Sequence, residues 1–164
     1  MFSQKVQDAM NQQIKHEMYS AYMYLSMSAN CESANLPGFA SWLRKQAEEE
    51  MEHAMKFYDF IHERMGKVVL YAIDQPPTEF GTPRKIFEQV FEHEQKVTGL
   101  INQIYKTAVD ENDYPSQVFL QWFINEQVEE ESNSSQVLET LKMIGDSTNG
   151  LFMLDHQLGK RTGD

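Results

Sequence analysis

Apolar residues recur at steps of three and four over four long stretches of the chain, the period of a helix with one buried face. The first stripe runs Ile14, Glu17, Ala21, Tyr24, and the second Leu43, Ala47, Glu50, Ala54, Phe57, with His53 beside it. The third runs Phe87, Phe91, Glu94, Thr98, Ile101, Tyr105, and the fourth Leu120, Phe123, Gln127, Glu130, Ser134, Val137, Leu141. Proline, glycine and asparagine separate the stripes. Pro37, Pro83 and Pro115 suit first helical turns, Thr82 suits an N-cap, and Gly66 and Gly145 suit helix ends. The pattern predicts helices over about 3–31, 37–65, 83–110 and 115–144, with a short fifth helix over about 147–158 before a polar tail.

The lengths of the breaks carry the topology. Asn35-Leu36-Pro37-Gly38 and Asn112-Asp113-Tyr114-Pro115 are tight breaks, so the helices on either side of each form antiparallel hairpins. Segment 66–82 is much longer. Extended at about 3.3 Å per residue it spans over roughly 50 Å, more than the ~40 Å of a ~27-residue helix. It can cross the whole bundle and leave the second and third helices parallel. The expected fold is all-α: a four-helix bundle with one long crossover and a short C-terminal fifth helix, forming one domain over 1–164. Lys67-Val68-Val69-Leu70-Tyr71 has strand-like composition. It is expected to form an extended packed loop, with pairing to a symmetry mate as the alternative.

Charge narrows the partners. The 164 residues carry a formal net charge of -11, which disfavours a nucleic-acid backbone or an anionic membrane and suits attraction of cations. No apolar run of about 18 residues is present, so no membrane span is expected. The start, MFSQKVQDAM, lacks the apolar stretch of a secretory signal, and the cytoplasm is the expected compartment. Cys31 is the only cysteine, which excludes an internal disulfide and a cysteine-rich metal site.

Each stripe contains a glutamate near its middle: Glu17, Glu50, Glu94 and Glu130. Burying an ionised carboxylate costs several kcal/mol unless it is neutralised or paired. No basic residue shares these faces, so the four charges call for two divalent cations. Glu50 and His53 form a Glu-x-x-His pair, whose i and i+3 positions lie on one helical face and can grip one ion. Any one of these spacings arises easily on a solvated helix face, but their coincidence at one level of four helices points to a metal site. Oxygen-rich ligands with one imidazole suit iron or manganese. Oxidation of both ions leaves excess positive charge that oxide, hydroxide or peroxide can meet, so the pattern favours chemistry with O2 or H2O2.

On these residues the whole chain resembles the ferritins of the bacterial non-haem type. That family places a glutamate on the first helix, Glu-x-x-His on the second, a glutamate on the third and Gln-x-x-Glu on the fourth. The match falls on Glu17, Glu50, His53, Glu94, Gln127 and Glu130. The resemblance implies a di-iron ferroxidase centre. Glu50 would bridge, Glu17 and His53 would complete site A, and Glu94 and Glu130 would complete site B. Gln127 would bond to bound oxygen species or support the ligands. It further implies a third iron site formed by Glu49, Glu126 and Glu129 with Glu130, for which an acidic surface patch is the plainer reading. Tyr24 matches a tyrosine close to the centre, and is otherwise a packing aromatic with a satisfied hydroxyl.

The function implied is iron storage, with Fe2+ oxidised by O2 or H2O2 and ferric mineral kept in a homo-oligomeric shell of 24 subunits. The alternative is a rubrerythrin-like di-iron peroxidase or oxidase. Against it stand the missing rubredoxin cysteines and Gln127-Val128-Glu129-Glu130, where such proteins carry a second Glu-x-x-His. A metal-free structural bundle is a further rival, and a DNA-binding mini-ferritin shell is disfavoured by the acidic charge. Met51 matches a methionine that ligates haem in bacterioferritins, but similar methionines occur in non-haem ferritins, and haem is not expected. His16, His62, His93 and His156 are expected at the surface. Asp110, Glu111 and Asp113 form an acidic corner between the third and fourth helices, where ferritins admit iron through three-fold channels; a solvated turn explains them almost as well.

Overall fold

In the computed structural model residues 1–162 are described, and among them lie α1 (Gln4–Ser33), α2 (Pro37–Glu63), α3 (Pro83–Asp110), α4 (Tyr114–Ile144) and α5 (Thr148–Leu158). Residues 163 and 164, the end of the expected tail and of the expected 1–164 domain, lie outside the described residues. Helix starts follow the sequence signals. Ser3, Thr82, Asp113 and Ser147 each accept a backbone N–H from the first turn of the following helix. The α2 N-terminus lacks such a cap of its own, and Asp155 of α5 replaces it by accepting the Phe39 N–H at 2.9 Å.

Three helices end in the same left-handed turn. Asn35, Met65 and Asn112 have φ of 59°, 58° and 55°. The next residues, Leu36, Gly66 and Asp113, donate back to the carbonyls of Cys31, Ile61 and Ala108. Gly66, expected to stop the second helix, therefore follows the left-handed residue rather than being it. A Cβ there would lie 2.8 Å from Gln7 Oε1 and Phe2 Cε1, so these side chains would have to shift to admit one.

The apolar stripes meet as two separate clusters. One joins Met23, Tyr24 and Met27 of α1 with Phe39 and Leu43 of α2, Ile86, Phe87 and Val90 of α3, and Val137 and Leu141 of α4. The other joins Val6, Met10 and Ile14 with Ala54, Phe57 and Ile61, Val97 and Ile101, and Leu120 and Phe123. The start of α2 thus shares an end of the bundle with the start of α3 and the ends of α1 and α4. Helices α2 and α3 are parallel, each antiparallel to its hairpin partner. The bundle is all-α, with the expected long crossover.

That crossover runs along α1 without forming a strand. Asn11 brackets it, donating to the Lys67 carbonyl at 2.9 Å and accepting the Val69 N–H at 2.8 Å. The Gln7 side chain accepts the Lys67 N–H, and further along Ser26 Oγ donates to the Pro77 carbonyl at 2.7 Å. Helix α5 packs on the start of α2, where a Cβ on Gly38 would fall 1.6 Å from the Asp155 carbonyl oxygen. No helix among the described residues is long and apolar enough to cross a membrane.

Candidate metal centre

Between the two apolar clusters lies a polar layer. Glu17, Glu50, His53, Glu94, Gln127 and Glu130 project into it, all of them at most 4% exposed. They arrive there because each occupies the middle of its stripe, and the middles of antiparallel helices meet at one level. Two ligand sets overlap on one residue. Glu17, Glu50 and His53 can place one donor atom each within 4.8 Å of one another, and so can Glu50, Glu94 and Glu130. Glu50 belongs to both. His53 Nδ1 lies 3.4 Å from Glu50 Oε2 and 3.8 Å from Glu17 Oε2.

The electrostatics are those of a cation site. Burial pushes the Glu17 and Glu50 carboxyls well above the usual range, and repulsion adds to it, from Glu50 on Glu17 and from Glu94 and Glu130 on Glu50. Burial raises Glu94 too, although hydrogen bonds from Tyr24 and Gln127 pull it back. Burial and the neighbouring Glu94 push Glu130 up to about 8. Burial opposes a charged His53, but the carboxylates of Glu126, Glu17 and Glu130 outweigh it and raise its pKa. Glu17 Oε2 is buried without a hydrogen-bond partner, an oxygen that a metal ion would satisfy. Four carboxylates and one imidazole, sharing a bridging glutamate, fit a pair of divalent ions such as Fe2+.

Around these groups stands a ring of amides in which the expected Gln127 is joined by Gln13 and Gln46, neither of which was expected. Gln13 Nε2 donates to Glu17 Oε1 at 2.8 Å. Gln46 Nε2 donates to Glu50 Oε1 at 3.2 Å and to Glu130 Oε2 at 2.7 Å. Gln127 Nε2 lies 3.2 Å from Glu94 Oε2 and 3.3 Å from Thr98 Oγ1, so its amide supports Glu94 rather than reaching across the layer. The signal for the first two was present: each glutamine precedes a striped glutamate by four residues, one turn back on the same face. Thr98 links the ring to Glu131, whose Oε1 is 2.6 Å from its hydroxyl.

Tyr24 lies in the layer, as expected, and its hydroxyl donates to Glu94 Oε1. Burial and the surrounding carboxylates hold its pKa well above the usual tyrosine range, so it stays a donor. Behind it is His93, a correction to the expected surface position. Its ring meets Tyr24 edge-on at 5.8 Å, and its Nε2 lies 2.7 Å from Ser20 Oγ. Burial lowers its pKa to about 4. His16 is half-buried, whereas His62 and His156 are exposed as expected.

Glu49, Glu126 and Glu129 are not gathered as one group. Glu126 Oε1 faces His53 Nε2 at 3.7 Å and joins His53 and Glu130 in a third possible ligand set. Glu49 instead pairs with Arg161 at 2.7 Å, and Glu129 is exposed. The acidic corner also changes character. Asp113 is buried, bonded to Arg64 Nη1 at 2.9 Å, and Glu111 pairs with Lys5 at 2.7 Å. Met51 is exposed on α2 and lies outside the layer. The single thiol, Cys31, is buried, which pushes its pKa up to about 11.

The model of the ferritin-like domain family, Ferritin, matches residues 7–144. The chain belongs to the ferritin family. A bacterial non-heme ferritin of Bacteroides fragilis is 44% identical over 161 residues, covering 98% of this chain and 100% of the relative. A bacterial non-heme ferritin of Staphylococcus saprophyticus is 37% identical over 164 residues, covering 100% and 98%. Among solved structures, an open-pore ferritin of Archaeoglobus fulgidus superposes with a TM-score of 0.98 at 44% identity, covering 99% of this chain and 100% of that one. An engineered closed form of the same archaeal ferritin gives 0.98 and 44% over the full length of both. In this ferritin, Glu17, Glu50, His53, Glu94, Gln127 and Glu130 share the polar layer with Gln13 and Gln46.

Proposed function

We propose that this ferritin is the ferroxidase subunit of an iron store. Two Fe2+ ions bind in the polar layer, one at Glu17, Glu50 and His53 and one at Glu50, Glu94 and Glu130, with Glu50 shared. Each ferrous ion gives up one electron. The pair therefore supplies the two electrons that, with two protons, reduce O2 to H2O2 or H2O2 to water. The ferric product moves to a mineral kept inside a homo-oligomeric shell, of 24 subunits as in ferritins, in the cytoplasm. The single observation carrying this reading is the sharing of Glu50 by two buried ligand sets whose donor atoms lie within 4.8 Å. A carboxylate that bridges holds both ions at the separation a two-electron step requires.

The protein's own groups have distinct tasks in this scheme. Gln13 and Gln46 orient the carboxylates through their NH2 groups. Tyr24 holds Glu94 through its hydroxyl proton. Glu126 lies against the imidazole nitrogen facing away from Glu50 and so can fix the His53 ring. Glu49, Glu126 and Glu129, apart in the metal-free chain, would be drawn together with Glu130 around a third ion passing between the centre and the shell interior. Gln127-x-x-Glu130 favours storage over a rubrerythrin-like peroxidase, because the amide bonds to Glu94 and offers iron no strong donor. The test is stopped-flow absorbance after adding about two Fe2+ per subunit, two ions being the count that four carboxylates neutralise. Glu50→Ala is expected to lose the rapid phase, because both sites lose their common ligand. An unchanged initial rate in Glu50→Ala would refute the assignment.

A further inference from the structure

Arg161 follows α5, yet its side chain is folded back onto α2. The guanidinium stacks 4.3 Å from the centre of the Trp42 ring. Its Nη1 donates to the Trp42 carbonyl at 3.2 Å, and its Nη2 to Gln46 Oε1 at 3.1 Å and Glu49 Oε2 at 2.7 Å. The Arg161 and Glu49 side chains are only 16% and 17% exposed, so the pair is shielded from solvent. A guanidinium donates and never accepts. Gln46 must therefore turn its oxygen to Arg161 and its NH2 to Glu50 and Glu130. One cation thus sets the amide that supports the bridging layer and neutralises the acid beside it.

The acids on this side differ in their partners. Glu126 faces His53, and Glu129 lines a groove of about 560 Å³ together with Trp42, Gln136, Leu158 and Arg161. Glu49 alone of the three is paired with an arginine, whose charge is permanent, among the described residues. It is also near enough for its charge to raise the Glu130 carboxyl. We propose that Arg161 is an internal latch on the third metal site. The guanidinium is the counter-ion of Glu49 until a metal ion arrives, and a third ion is held there only as Arg161 swings away into the groove. Arginine keeps its charge at all accessible pH values, so the latch opens by exchange of one cation for another. The inference rests on the third site of the proposed function.

The experiment is anaerobic calorimetric titration of the assembled protein with Fe2+, comparing wild type with Arg161→Gln, Arg161→Lys and Glu49→Gln. Arg161→Gln removes the competing charge and is expected to tighten the third equivalent by about tenfold or more, the scale of one charge-assisted hydrogen bond. The first two equivalents are expected to bind as before. Arg161→Lys keeps a cation beside Glu49 and is expected to stay near wild type, and Glu49→Gln is expected to lose the third equivalent. An Arg161→Gln third equivalent that is unchanged or weaker overturns the latch. If Glu49→Gln then still abolishes that equivalent, the third site survives without it. If no variant binds a third ion while two bind normally, latch and third site fall together. If the first two ions also fail to bind, the ferroxidase reading itself is wrong.

Discussion

Replacing Glu130 by glutamine removes a titrating proton from the polar layer while keeping its shape and its oxygen, which can still accept the Gln46 amide at 2.7 Å. In the folded metal-free protein, burial and the neighbouring Glu94 hold the Glu130 carboxyl near 8, against an ordinary value of 4.5. A raised folded pKa contributes stability that is complete below the unfolded value and is lost as pH rises through the folded one. Between about pH 4.5 and 8 each pH unit therefore costs wild type about 1.4 kcal/mol at this residue. At pH 7 the accumulated cost is roughly 3 kcal/mol, and glutamine escapes it. Glu50 and Glu94 share the proton with Glu130, so part of the relief already falls to them and about 2 kcal/mol is expected. For a chain of this size that is a rise of roughly 4–8 °C in Tm. Calorimetry of chelated wild type and Glu130→Gln, in matched assembly states, should show that gap at pH 7, wider at pH 8 and nearly closed at pH 5. Anaerobic Fe2+ should reverse the order, because the variant loses a ligand. A gap that stays constant from pH 5 to pH 8, or a metal-free variant less stable at pH 8, would refute the reasoning.

Gly38→Ala drives a methyl into the Asp155 carbonyl and should cost about 2 kcal/mol or more as α5 is displaced, read as a lower Tm; Gly99→Ala, with open space at its Cβ, should instead gain roughly 0.5–1 kcal/mol. Converting α4 to Glu-x-x-His, by Gln127→Glu with Glu130→His, should tighten the second Fe2+ equivalent in an anaerobic titration and slow mineral growth, since an imidazole holds iron more firmly. Wild-type affinity and wild-type mineralisation together in that double variant would show that α4 does not control product release.

The fold was legible wherever a local signal decided a local outcome. Proline placed the starts of α2 and α3 correctly, and the second residue of α4 is Pro115. Asn35 and Asn112 carry left-handed turns that asparagine tolerates. Met65 was illegible for the opposite reason: a methionine has no special tolerance for the left-handed position, and the adjacent Gly66 is the more obvious candidate for it. The four glutamates could be read from periodicity, since a charge in an apolar stripe stands out against its neighbours. The partial burial of His93 could not, because it comes from Tyr24 and Ser20 on another helix. Arg161 could not either, since it meets Glu49 across a sequence separation of 112.

The split between the two apolar clusters bears on how the bundle forms. Glu17 and Glu50 belong to the α1–α2 hairpin, and Glu94 and Glu130 to the α3–α4 hairpin. Each hairpin has mostly local contacts and can zip up on its own, as such low-contact-order units do. Neither completes a core, because both clusters draw residues from all four helices. The repulsion of Glu50 with Glu94 and Glu130 arises only when the hairpins come together. Glu17 and Glu50 already repel within the first hairpin, and docking adds Glu94 and Glu130 to that pair, so docking is the step that protons or metal ions accelerate most. Refolding after dilution from denaturant should show an early helical phase that responds weakly to pH and a later one that quickens more strongly with acid or divalent cation. The centre that works on iron in the finished protein would, on this account, also set the pace at which the protein is finished.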